Sequence, residues 1–91
     1  MIDKSTSRRI RVQIRHVLLE VWDPIGVRDE PNAQDEYDGY IGPVFELLVH
    51  DGTDAQIVDH LHWAEERMGM NGSRHNDQDV VTALRAIRLT D

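Results

Sequence analysis

Apolar residues return at the helical period in four separate blocks of this chain, and that recurrence limits the fold more than any other feature. Ile10, Ile14, Val17, Leu18 and Val21 form one stripe of a first helix from about Ser7 to Trp22. Tyr37, Ile41, Val44 and Leu48 keep the spacing across residues 34–50, where Gly39, Gly42 and Pro43 interrupt it. Pro43 lacks an N–H and crowds the carbonyl four residues back, so a break or strong kink is expected there. In the other arrangement, Gly42 caps a new helix with Pro43 in its first turn. Thr53-Asp54-Ala55-Gln56 has the form of a capping box. It opens a third helix with Ile57, Leu61, Ala64 and Met68 inward and Gly69 just past its end. Asn76 is placed to cap a fourth helix, with Asp77 and Asp79 in its first turn and Val80, Leu84 and Ile87 as its stripe. Residues 69–76 read as a loop, and no run alternates as a strand would. The expected fold is all-α, a compact irregular array or bundle of about four helices in one domain over residues 1–91, with 1–6 flexible.

The first helix ends for a legible reason. In Trp22-Asp23-Pro24-Ile25-Gly26, Pro24 drives Asp23 out of the helical region. Asp23, Pro24 and Gly26 then take the preferred positions of a type I turn. The Asp23 carboxylate is expected to accept a backbone N–H two residues on. The turn reads as structural: Trp22, Asp23, Pro24 and Gly26 supply packing and turn chemistry and nothing reactive.

Charge is unevenly distributed. Residues 1–28 hold six basic and three acidic side chains, residues 29–66 hold eleven acidic and no Lys or Arg, and the net charge is −7. The acidic middle repels a phosphate backbone, so nucleic acid is not the expected partner. Arg8, Arg11 and Arg15 share a stripe of the first helix, where cations oppose the macrodipole, so carboxylate partners in the acidic middle are expected for them. There is no cysteine, which removes disulfides, thiolate ligands and thiol nucleophiles. No apolar run suits a signal segment or a membrane span, and a cytoplasmic, non-membrane protein is the reading.

Residues 17–27, VLLEVWDPIGV, with DEYDGY at 35–40, resemble a family of small bacterial proteins catalogued as a domain of unknown function. In that family a helix ends in a Trp-Asp-Pro-(Ile/Leu)-Gly turn and an acidic, tyrosine-containing helix follows. The resemblance covers roughly residues 10–70. It implies a compact array of about four helices and carries no activity, cofactor or site residue with it.

Chemistry-bearing constellations are few. Asp59, His62 and Glu66 share a face of the third helix, a spacing that would suit a small metal-binding protein or metal-dependent enzyme. That face lies opposite Ile57 and Leu61, where a solvated polar surface is the plainer account. The paired carboxylates Asp29/Glu30 and Asp35/Glu36/Asp38 fall in a loop and at a helix start, where acids stabilise and solubilise. No serine has a nucleophile-elbow context, and GMNGSRHN lacks phosphate-loop spacing. No cofactor is called for. Two apolar features remain. Val12 and Leu19, seven residues apart, lie opposite the core stripe of the first helix. Trp63 lies off the stripe of the third, flanked by His60 and Arg67. Val12, Leu19, His60, Trp63 and Arg67 are therefore the candidate interface. They favour a non-enzymatic interaction module that forms a homodimer or binds a protein partner, including an acidic inhibitor or immunity-type protein set against a basic toxin site.

Overall fold

The computed structural model describes residues 2–69 and 76–90. Among them are four α-helices and no strand: α1 (Lys4–Val17), α2 (Ile41–Val49), α3 (Asp54–Arg67) and α4 (Asp77–Arg85). Each helix packs on the next and α4 returns to α1, so the array closes on itself. The expected all-α class and helix number stand. Apart from Gly69 and Asn76, the expected 69–76 loop lies outside the described residues.

α1 begins at Lys4, one turn earlier than the apolar period indicates. Asp3 is the N-cap, and its carboxylate accepts the Thr6 N–H at 2.8 Å. That bond holds the Asp3 carboxyl below its ordinary value. At the other end, the helix widens into one π-turn over Leu18–Trp22, closed by the Asp23 N–H on the Leu18 carbonyl at 2.9 Å. The extra residue in that turn rotates the segment so that Leu18, Leu19 and Trp22 all face the core. Pro24 stops propagation, and Asp23 takes a left-handed conformation with φ +33°.

The segment around Pro43 is broken rather than continuous. Residues 34–40 form turns and a short 3-10 stretch (Asp38–Tyr40), and α2 starts at Ile41 with Pro43 in its first turn. There a missing N–H leaves no carbonyl without its donor. The Thr53/Gln56 capping box opens α3 with both reciprocal bonds present, at 3.1 and 2.8 Å. Gly69 follows α3 with φ +83°, the left-handed position that favours glycine.

The core is one cluster: Ile10, Ile14, Leu18 and Trp22 meet Val44 and Leu48 of α2, Ile57 and Leu61 of α3, and Val80 and Leu84 of α4. Trp22 is fully buried, with Tyr37 tilted against it at a ring separation of 5.2 Å. Its indole N–H donates to the carboxyl of Glu65 at 2.9 Å. Glu65 is itself fully buried, and among the described residues its second oxygen has no hydrogen-bond partner.

Candidate functional site

The Trp22–Gly26 turn is held by side chains on all sides. The Asp23 carboxylate accepts the N–H of Val27 at 2.8 Å and of Arg28 at 3.2 Å, four and five residues on, not two as expected. The left-handed backbone of Asp23 swings the carboxylate toward the later residues. Tyr37, one of the most buried side chains, donates its hydroxyl to the same carboxylate at 2.8 Å and accepts the Ile25 N–H at 3.2 Å. Pro24 is buried, and Gly26 has φ +70°. The Asp23 carboxylate and the Tyr37 hydroxyl are thus both engaged within the chain.

Asn76 stands at the start of α4 but does not cap it through its side chain. Its amide donates instead to the carbonyl of Val21 at 2.7 Å, tying α4 to the π-turn. The Asp59, His62 and Glu66 set does not assemble: His62 Nε2 pairs with Asp77 at 2.8 Å, across to α4. Among the described residues no three His, Asp or Glu side chains converge as a metal site.

The five candidate interface residues separate into two places and one correction. Leu19 is buried by the chain's own helices, because the π-turn rotates it away from the face that Val12 occupies. It drops out as an interface residue. Val12 remains 60% exposed on the outer side of α1. On one side of it lies a groove of about 570 Å³ edged by basic residues. On the other lies an apolar groove of about 340 Å³ against Ala83, Ala86 and Ile87 at the end of α4. Of the α1 arginines, Arg15 finds the carboxylate expected for it, in a two-pronged pair with Asp38 that includes Nε to Oδ1 at 2.8 Å. Arg11 lies instead over the ring of Phe45, 4.4 Å from its centroid. Among the described residues no carboxylate pairs with Arg8.

His60, Trp63 and Arg67 do come together. The His60 ring stacks on Trp63 at 5.7 Å and 25°, and the Arg67 guanidinium sits 5.2 Å from the indole centroid. Tyr40, which no sequence pattern singles out, meets Trp63 edge-on at 6.3 Å and Trp22 edge-on at 6.2 Å. It thus links the surface ring to the core ring. Trp63 is 50% exposed. Burial lowers the pKa of His60, partly offset by its contact with the Tyr40 carbonyl, so the stacked ring is held toward its neutral form. The result is a half-exposed aromatic shoulder, with His60 stacked on the indole, Arg67 over its ring and Tyr40 at its edge. No helix of the described residues is long and apolar enough to cross a membrane. No known family model, curated protein or solved structure matches the chain.

Proposed function

We propose that the chain is a non-enzymatic protein-interaction module that engages its partner through the Trp63 shoulder. The observation that carries this reading is the half-exposed indole with His60 stacked on it, Arg67 over its ring and Tyr40 edge-on from the core side. A tryptophan with an Arg beside it presents the residue types most enriched in contact hot spots. The exposed carboxylates of Asp29, Glu30, Asp35 and Glu36 suit a partner with basic surface, as for an inhibitor or immunity-type protein. This reading places the chain in the cytoplasm and among the small bacterial helical proteins that its Trp-Asp-Pro-Ile-Gly turn resembles.

The test is Trp63→Ala in a protein whose native partner is first identified by crosslinking from a photoreactive residue at position 67. The variant is expected to keep its far-UV spectrum and lose about 2 kcal/mol or more of binding, roughly thirtyfold. Unchanged binding, with a large loss of stability instead, would make Trp63 a peripheral core residue and sink the reading. Light scattering at micromolar concentration separates a homodimer from a complex with another protein.

A further inference from the structure

The outer face of α1 presents a different chemistry from the Trp63 shoulder and stands independently of it. Lys4, Arg8, Arg11 and Arg15 recur at helical spacing, a stripe about 16 Å long. They edge the larger groove, whose apolar lining is Ile2, Val12 and Ile41. Among the described residues Arg15 alone of these four is paired with a carboxylate, that of Asp38 at the far end. Arg11 is held over Phe45 without a carboxylate. Lys4 and Arg8 have no ion-pair partner among the described residues. The one carboxylate in the groove, Asp3, is already committed to capping the helix through Thr6. Lys4 sits in the first turn of α1, where a cation is unfavourable, and among the described residues Lys4, Arg8 and Arg11 have no carboxylate paired to them, in a chain of net charge −7.

Charge also decides what can fill the groove. A second copy of the same face is disfavoured. Arg8 and Arg15 stand at i−4 and i+3 from Val12, so two such faces meeting about a two-fold axis set cation against cation. A nucleic-acid strand longer than the groove runs toward Asp38 and Asp35, both close enough to act on Arg15. The groove also offers no open aromatic face for a base, since Phe45 is buried with Arg11 over its ring. A short acidic, partly apolar polypeptide meets none of these objections. We propose that this groove docks an acidic segment of a partner protein. Its carboxylates pair with Lys4, Arg8 and Arg11, and an apolar side chain sits against Ile2, Val12 and Ile41.

The experiment is an amide-shift titration of the isotopically labelled chain with a short synthetic peptide of Glu and Leu. Parallel titrations use a Lys/Leu peptide, a Glu/Ser peptide and a short single-stranded RNA. Saturable shifts are expected at residues 4–15 and 41 with Glu/Leu alone, weakening as salt shortens the screening length. Arg8→Glu combined with Arg11→Glu is expected to weaken binding about tenfold or more, while Ala55→Ser on the exposed side of α3 leaves it unchanged. Both arginines are exposed, and the far-UV spectrum checks that the double variant is folded. Four results would each overturn the proposal: no saturable shift on α1, equal binding by the charge-reversed variant, equal binding by RNA, or equal binding by Glu/Ser. The third would indicate a polyanion site and the fourth a bare charge site without the apolar anchor.

Discussion

Replacing Trp22 by phenylalanine removes a single hydrogen bond and part of one ring from the centre of the core. The bond is the indole N–H on Glu65, 2.9 Å long and between two fully buried side chains. Since the other Glu65 oxygen has no partner among the described residues, the variant leaves the carboxyl without a donor among them. That loss is worth about 1–3 kcal/mol, and the lost ring volume adds about 1 kcal/mol at the cavity rate for partly relaxed cores. Trp22→Phe is thus expected to cost about 2–4 kcal/mol out of a total near 5–14 kcal/mol for a chain of this length. Glu65→Met costs a similar amount, because it orphans the indole N–H instead. The double variant Trp22→Phe/Glu65→Met removes both polar groups together. It is expected to be more stable than the sum of the single effects implies, by about 1–3 kcal/mol. Equilibrium unfolding in urea followed by far-UV circular dichroism measures all four corners of the cycle. Additivity within about 0.5 kcal/mol would refute the reasoning. It would mean that Glu65 finds other donors once the indole is gone.

Asp23→Ala removes the acceptor for Val27, Arg28 and Tyr37 and is expected to cost about 2–3 kcal/mol, whereas Asp23→Asn, which tolerates the left-handed backbone, costs less; thermal melts of both variants rank them. A methyl group at Gly52 would lie 2.9 Å from the Leu47 carbonyl oxygen, so Gly52→Ala is expected to destabilise by about 1–3 kcal/mol. A methyl group at Gly39, in the short 3-10 stretch before α2, meets nothing within 4 Å and Gly39 has no left-handed φ, so Gly39→Ala is expected to stabilise by about 0.4–1 kcal/mol in the same unfolding assay. His60 titrates below the ordinary value of 6.5 in the folded chain, so the unfolded chain takes up that proton first as pH falls. Its contribution to stability is therefore full above 6.5 and declines as pH drops toward the lowered folded value. His60→Phe is expected to flatten the stability profile in that window, and an unchanged slope would place the titration elsewhere.

Much of the architecture is legible in the sequence because it rests on local rules. The capping box at Thr53, the break before Pro43 and the stop before Pro24 depend on residues within a turn of one another. Glu65 falls four residues after Leu61 and eight after Ile57, on the core stripe of α3, but an apolar pattern of Ile57, Leu61, Ala64 and Met68 passes over a carboxylate, so its burial is not part of the reading. The π-turn is not legible, since one extra residue in a helix leaves the apolar spacing nearly unchanged while rotating the residues beyond it. Leu19 is misplaced by the regular helical period for that reason. Asn76 has the residue type and position of a cap, but whether its side chain turns to its own helix or to Val21 depends on a partner 55 positions away. On the site, neighbours at i−3 and i+4 bring His60, Trp63 and Arg67 into view, whereas Tyr40 reaches Trp63 only through the packing of α2 on α3.

Because α1 packs on both α2 and α4, α1 leaves the ribosome well before the helix that completes the cover of its core face. Ile10 and Ile14 need Val80 and Leu84, and Arg9 donates to the carbonyls of Arg88 and Thr90, at 2.7 and 3.1 Å. Such distant contacts are closed only after a long loop has been ordered, which slows folding relative to a bundle whose helices pair in sequence order. During synthesis α2 and α3 can form a hairpin while α1 still exposes its apolar stripe. A nascent chain arrested before residue 80 therefore carries a nearly complete set of helices without the element that closes them, and that is the stage at which it is most open to capture by a chaperone or to aggregation.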